Sequence, residues 1–431
     1  MSAKADTEQR TAEKSAEKPT EKQAEKQMKK PTEKPVEKQA EKPTEKTSEN
    51  PKKKKQSGRN PLKRIAKVCA AILCTLIAMA AVFLLILFVM YRTGKRSLYA
   101  KAENSAPVSV NTQQELLDAR EQAGLTAVQW QPDWIALDGR IYEYNEDTIN
   151  LLFLGIDHAG GLVRDTDYSE WNAGQADAVF VLSLNPTDKT MKIVAIPRNS
   201  MVNLNIYGAD GEVSEQIKNQ ICLQYGYAGG GKNGLTEMKR AVSELMYQLP
   251  IHGVTAIGYD AIATINDAVG GVDVEVIEDI IYDPEMRIGN VVHLTGEQAY
   301  LYLQYRDVTA VGSPTARLLR QKQYLSAFVG AAKAKLRSDP LIVSELYQAL
   351  DEYMNTDIAL DEAVYMAAEL LDYRFDMDAI YLLAGEDRIV PYINEDGEED
   401  FYDDYYLDED ELKRMMIEVF YAEVDFSETD Y

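Results

Sequence analysis

Three charged residues stand where strand-like apolar runs begin or end, which is where ligand sites of open α/β sheets gather. Asp157 follows Leu151-Leu-Phe-Leu-Gly-Ile156, Asp177 directly precedes Ala178–Leu184, and Arg198 follows Ile196-Pro197 at the end of a third run. Two carboxylates so placed can hold a hard cation. Mg²⁺ characteristically takes one or two carboxylates together with substrate phosphates. Capping of strands, or ordinary ion pairing, is the alternative that spacing alone leaves open. A second constellation is Arg306, Arg317, Arg320 and Gln321. At i, i+3 and i+4, Arg317, Arg320 and Gln321 share one face of a helix, with Arg306 before its start. Guanidinium groups offer five fixed donors and suit a phosphate clamp; a solvated helix face has the same spacing.

Other chemistries lack their residues. The chain has no hydrolase nucleophile elbow, no P-loop and no His-Glu-x-x-His helix. The scattered His158, His252 and His293, with Cys69, Cys74 and Cys222, give neither a zinc spacing nor a disulfide framework. Gly229-Gly-Gly231 reads as an anion-binding turn or a flexible surface loop, and Asp403–Glu411 as a cation site or a solvated helix start. Trp130, Trp134 and Trp171 read as a carbohydrate platform or as core packing.

The elements that must position these residues alternate over 149–310. Ile149–Leu154, Ala178–Leu184, Met191–Ile196, Val254–Tyr259 and Val272–Val276 are strand-like; Leu235–Leu249, Ala261–Val269, Glu297–Tyr305 and Ala316–Leu336 have helical periodicity. Such alternation predicts an α/β sandwich with a mixed sheet. Before this region, Thr112–Ala123 reads as a helix capped by Asn111. After it come helices Leu341–Tyr353 and Leu360–Leu371, a strand Ala379–Leu383 and a last helix following Asp408.

The 431 residues carry a formal charge of −24, but residues 1–67 are net +9 and the remainder net −33. The acidic part would repel bare nucleic acid. Residues 1–60 repeat Glu-Lys, are broken by five prolines and hold almost no large apolar side chain, a composition that does not fold. Val68–Tyr91 is 24 residues without a formal charge, long enough to cross a bilayer. Eight Lys/Arg fall in the sixteen residues before it and four in the ten after, which places the N-terminus in the cytoplasm and 92–431 outside. The divisions are a disordered cytoplasmic tail with a basic end (1–64), a transmembrane helix (65–91), an extracellular stalk and flanking segment (92–148), a core domain (149–330), and a helical extension packed on the same domain (331–431).

Six segments occur in a telling order: Leu152-Phe-Leu-Gly-Ile-Asp157; Gln175-Ala-Asp177-Ala-Val-Phe-Val-Leu-Ser-Leu-Asn-Pro186; Val194-Ala-Ile-Pro-Arg198-Asn-Ser; Ile265-Asn-Asp-Ala-Val-Gly-Gly-Val-Asp-Val274; Leu294-Thr-Gly-Glu-Gln-Ala299 with Tyr305-Arg306; and Arg317-Leu-Leu-Arg-Gln321. Together they resemble the LytR–CpsA–Psr family of membrane-anchored cell-wall proteins. The resemblance implies an α-β-α sandwich with a mixed central sheet. It implies transfer of a glycopolymer, teichoic-acid-like or capsular, from a polyprenyl-pyrophosphate carrier to peptidoglycan in a Gram-positive-type envelope. By motif position, Asp157, Asp177 and Arg198 would be catalytic, with Asp157 and Asp177 holding Mg²⁺ (or Mn²⁺). Arg198, Arg306, Arg317 and Gln321 would bind the pyrophosphate, joined by Gln175 and Gln304.

Four positions depart from the family pattern. Gln175 and Gln304 replace arginines, and Asn199 and Pro314 replace aspartates. A lost charge-assisted bond to phosphate costs about 1.5–3 kcal/mol. The alternative they raise is a catalytically weakened receptor or regulator that binds lipid-linked intermediates without turnover.

Overall fold

The computed structural model describes residues 61–102, 105–122, 124, 131–158, 161–163, 173–208, 210–305, 313–375, 377–393, 397 and 399–425. Residues 1–60 of the predicted tail, Trp130, Trp171 and Arg306 lie outside them, while 61–64, assigned to the tail, already belong to the first helix. In chain order the helices are α1 (Pro61–Ala100), α2 (Gln113–Gln122), α3 (Gln224–Tyr227), α4 (Gly231–Leu245), α5 (Ala261–Ala268), α6 (Gly296–Gln304), α7 (Ser313–Ser338), α8 (Ile342–Ala349), α9 (Leu360–Leu370) and α10 (Glu409–Phe420). The strands are β1 (Ile135–Leu137), β2 (Arg140–Tyr144), β3 (Ile149–Ile156), β4 (Ala176–Asn185), β5 (Thr190–Ile196), β6 (Met201–Tyr207), β7 (Val213–Gln220), β8 (Gly253–Gly258), β9 (Val272–Glu275), β10 (Val291–Leu294), β11 (Met354–Thr356), β12 (Ile380–Leu382), β13 (Gly385–Ile393), β14 (Glu399–Leu407) and β15 (Tyr421–Glu423). The contacts divide the chain into 1–68 and 69–431. The described part of the first is the opening of α1, and every other element belongs to the second.

β3 explains the architecture. From Leu151 its sequence is a continuous apolar run because both of its faces are covered. Leu152, Leu154 and Ile156 pack with Val179 and Val181 of β4 against Met238 and Val242 of α4 and Met416 and Phe420 of α10. On the other face Ile149 and Leu151 meet Leu98 of α1 and Tyr365 and Met366 of α9. The sheet order is β11-β8-β3-β4-β5-β12. β3 and β8 are parallel, as are β5 and β12, and the other pairs are antiparallel. This is the expected α-β-α sandwich with a mixed central sheet. The segment beyond 330 is more than a helical extension, since it supplies both outer strands, β11 and β12. A third apolar cluster joins β9 and β10 to Tyr302 of α6 and Tyr324 of α7.

Several local expectations need correction. α2 is capped by Thr112, whose hydroxyl accepts from Glu115 N–H at 3.3 Å while the Glu115 carboxylate accepts from Thr112 N–H at 2.6 Å. Asn111 instead accepts from Ala136 N–H at 2.8 Å. Gly229, Gly230 and Gly231 are not a flexible surface loop: all three are buried with φ of 75°, 69° and 51°, in the left-handed region that glycine tolerates. They start α4 four residues earlier than its apolar periodicity suggests. Asp403–Glu411 divides between the end of β14 and the start of α10, where Asp408 caps the helix by accepting from the N–H groups of Asp410 and Glu411. Trp134 is buried with Leu116, Ile141 and Val424, a packing role.

Among the described residues one helix, α1, is long and apolar enough to cross a membrane. The helix does not give way to a loose stalk at residue 92. It continues to Ala100 and docks on α9. Thr93 donates to the Asp361 carboxylate at 2.7 Å and Ser97 to the Glu362 carboxylate at 2.7 Å. Lys101 pairs with the fully buried Glu362 at 2.6 Å. Gly94 makes the approach possible, because a Cβ there would lie 2.0 Å from the Asp361 carbonyl oxygen. Gly94→Ala is therefore expected to pry the two helices apart at a cost of about 1–3 kcal/mol, typical of overpacking. A lower Tm with faster amide exchange over residues 93–101 is the check.

Candidate functional site

The site forms where β3, β4 and β5 end side by side. Register between β3 and β4 slips after Gly155↔Ala178, so that Ile156 pairs with Ala176 and Asp177 is left as the extra residue of a bulge. Bulges redirect the side chain they leave unpaired. The Gln175 carbonyl then accepts from Asp157 N–H at 2.8 Å and from Asp177 N–H at 3.1 Å, tying both aspartates to one oxygen. Gly174 lets the chain turn into this position. Its φ is +86°, and a Cβ would lie 2.8 Å from Ile156 Cγ2 and 2.9 Å from the Asp157 carbonyl oxygen.

Arg198 reaches the same place from the end of β5. Its Nη1 pairs with Asp177 Oδ1 at 2.8 Å, with both side chains 43% exposed. Its Nη2 donates to Gln175 Oε1 at 2.6 Å and lies 3.6 Å from Cys222 Sγ. Cys222 N–H donates to the Arg198 carbonyl at 3.1 Å, which fixes the backbone behind the guanidinium. Burial pushes the Cys222 thiol above its ordinary range despite the opposing Arg198 charge, so it is a neutral contact at pH 7. Burial also works against the Arg198 charge, but Cys222 and the Asp177 and Asp157 carboxylates outweigh it and raise the pKa. For Asp177, burial raises the pKa, Arg198 opposes, Asp157 adds to the rise and Arg317 opposes. Arg317 of α7 is thus within electrostatic reach of Asp177. Tyr300 of α6 stacks on Tyr259 with ring centroids 5.6 Å apart, and Asp157 contributes to its raised pKa after burial, Tyr259 and Asp260. That pair flanks the exposed Asp157.

Asp157, Asp177, Gln175, Arg198 and Arg317 therefore come together, whereas the remaining predicted residues are less uniform. Gln304 is exposed at the C-terminal end of α6, and Gln321 donates to the Leu303 carbonyl at 3.4 Å. Asn199 donates to the Asp403 carbonyl at 2.8 Å and so braces β14. Pro314 lies in the first turn of α7. Arg320 does not share the role of Arg317. It is fully buried, donates to the carbonyls of Tyr302 (3.0 Å) and Tyr305, and pairs with Glu278. Sequence reasoning missed Cys222 and the Tyr259–Tyr300 pair. Cys222 follows the mostly polar strand β7 and has no partner cysteine to announce it, and the tyrosines meet only through the fold.

Residues 102–399 match the LytR_cpsA_psr family. The chain is 26% identical over 236 residues to the polyisoprenyl-teichoic acid–peptidoglycan teichoic acid transferase TagV of Bacillus subtilis, covering 53% of this chain and 54% of that protein. It is 27% identical over 219 residues to the transferase TagU of Bacillus mycoides, covering 50% and 62%. The chain thus spans somewhat over half the length of these curated relatives. A crystal structure of B. subtilis TagV shares 24% identity, with 63% of this chain and 96% of that chain covered and a TM-score of 0.45.

A carboxyl with a raised folded pKa holds extra protons in the folded state, so stability falls as pH rises through the window above its ordinary value and is level beyond. Asp177→Asn should remove that slope, so that its Tm gains on the parent's as pH rises above about 4. Arg320→Ala should cost about 3–5 kcal/mol by stranding Glu278, whereas Arg198→Ala should cost about 1 kcal/mol or less. Thermal unfolding of both variants separates the two roles.

Proposed function

Because the chain belongs to the LytR_cpsA_psr family, we propose that it is a membrane-anchored phosphotransferase. It moves a glycopolymer, teichoic-acid-like or capsular, from a polyprenyl-pyrophosphate carrier to a hydroxyl of peptidoglycan. The observation that carries this reading is the convergence of Asp157, Asp177 and Arg198 at three adjacent strand ends, with Arg317 in electrostatic reach. The charge asymmetry around Val68–Tyr91 supports a cytoplasmic N-terminus and a domain outside.

The donor presents two phosphates. Attack by the acceptor hydroxyl forms a new phosphorus–oxygen bond and breaks the one to polyprenyl phosphate, leaving a phosphodiester to the glycopolymer. Charge builds on the phosphoryl oxygens and on the leaving phosphate. Arg198 is half-exposed and held against Asp177 by an ion pair that solvent screens, so its fork can turn to an incoming phosphate at little cost. Arg317 would add a second cation and Gln175 a neutral donor, once its amide faces the ligand. Gln321 lies one turn beyond Arg317 on α7 and extends that polar face; in this proposal Gln304, at the end of α6, and Arg306 add a neutral donor and a cation for the pyrophosphate.

The donor set suits Mg²⁺ or Mn²⁺ shared with substrate. Asp157 and Asp177 are two hard oxygen ligands close enough to influence each other's charge. Among the described residues no group of three acidic, histidine or cysteine side chains could enclose an ion. A cation that keeps water and takes phosphate oxygens fits such a pair. When bound, it would neutralise charge on the pyrophosphate and favour departure of the lipid phosphate.

Full-length protein in detergent, given a labelled polyprenyl-pyrophosphate glycan, peptidoglycan and Mg²⁺, is expected to show acceptor-dependent transfer. Arg198→Ala should lower the rate about 10²–10³-fold, the range for loss of one transition-state donor. Transfer no higher than that of Asp177→Ala, over several donors, overturns the proposal. Donor binding without turnover would establish a receptor instead, and phosphate release without acceptor a hydrolase.

A further inference from the structure

Away from this site, a cleft of about 1190 Å³ opens between the end of α1 and the body of the domain. Arg92, Lys95 and Arg96 line one wall; Tyr144, Glu146 and His252 line the other. The three cations stand at i, i+3 and i+4, so they share one face of the helix. Their charges are not consumed elsewhere. Arg92, Lys95 and Arg96 are exposed and form no ion pair among the described residues, whereas Lys101 is taken by Glu362. Glu369, the acid whose pKa Lys95 influences, is already held by Lys189 at 2.6 Å and by the Tyr91 hydroxyl at 2.5 Å. Lys95 rests over the Tyr99 ring, 5.7 Å from its centroid.

The opposite wall does little to cancel this charge. Glu146 is the one acid among the described lining residues. His252 is neutral at pH 7, since burial and the nearby Lys239 pull its pKa down to about 4. Asn150 N–H donates to His252 Nδ1 at 3.1 Å, so the neutral ring carries its proton on Nε2 and presents a donor there. Among its described residues the cleft thus combines three cations with one carboxylate, a composition that selects an anion.

Its position says which anion. Arg92 immediately follows the apolar run that ends at Tyr91. Arg92 to Arg96 rises about 6 Å along the helix, and each headgroup layer of a bilayer is about 5–7 Å deep. If α1 crosses the membrane, as proposed above, the cations lie in the layer that holds lipid phosphates. We propose that this cleft binds the phosphate of an anionic phospholipid headgroup in the leaflet on the domain's side. The bound lipid seats the domain on the membrane, separately from the donor site.

The test uses the full-length chain in neutral detergent micelles, doped with short-chain phosphatidylglycerol or phosphatidylcholine, or mixed with soluble glycerol phosphate at the same total concentration. Mass spectrometry follows acylation of Lys95 by an amine reagent, with Lys101 as the internal reference for local folding. Phosphatidylglycerol is expected to slow Lys95 acylation several-fold and leave Lys101 unchanged, with no effect from phosphatidylcholine and little from glycerol phosphate. The double variant Arg92→Gln/Arg96→Gln should shift the phosphatidylglycerol midpoint about 25-fold, roughly fivefold for each cation lost near an anionic surface. Equal protection by phosphatidylcholine, equal protection by glycerol phosphate, or an unshifted midpoint in the double variant overturns the proposal.

Discussion

One carbonyl oxygen, that of Gln175, holds the candidate site together. It accepts the backbone N–H groups of both Asp157 and Asp177, residues that lie on neighbouring antiparallel strands and would otherwise diverge beyond the last ladder bond. The slip in register after Gly155 makes this possible by adding a residue on the β4 side. Gly174 completes it, because no side chain fits between Ile156 and the Asp157 carbonyl. The two carboxylates are thus set by backbone geometry and not by their own contacts. Their side chains remain open to solvent, and only Asp177 is engaged by Arg198.

The arginines divide along the same line. Arg198 is half-exposed, and its ion pair with Asp177 lies open to solvent. Arg320, three residues after Arg317, is enclosed, and its bonds to Tyr302 and Tyr305 fasten α7 against the end of α6. A buried guanidinium of this kind is a fixture: removing it leaves a charge and two carbonyls without partners. Two residues of the same type, one helical turn apart, thereby serve different ends. The difference comes from which face of α7 meets the apolar cluster around Tyr302 and Tyr324.

Much of this was legible in the sequence, for physical reasons that can be named. β3, β4, β5 and β8 are buried enough to read as apolar runs, and the charges at their ends stood out for that reason. The α/β sandwich with a mixed sheet followed from alternation of strand and helix, and its α-β-α layering from the family resemblance. The bulge at Asp177 left no mark, because a register slip costs only one residue. The β6–β7 and β13–β14 hairpins were missed. β7 and β13 are exposed along nearly their whole length, and Pro391 within β13 argues against a strand. Periodicity reports burial, and strands without a buried face give it nothing to report. Arg320 could not be told from Arg317 by spacing, since the two differ only in which neighbour covers them.

The continuation of α1 beyond its apolar run has a mechanical consequence. From Tyr91 to Ala100 the helix rises roughly 14 Å without a break, and Gly94, Leu98 and Glu362 weld it to α9. A tether of flexible residues would let the domain swing about the end of the apolar run. This chain has no swivel at that point. The distance from the end of the apolar run to the domain is set by a rigid rod, so a displacement at Tyr91 passes to α9 without slack.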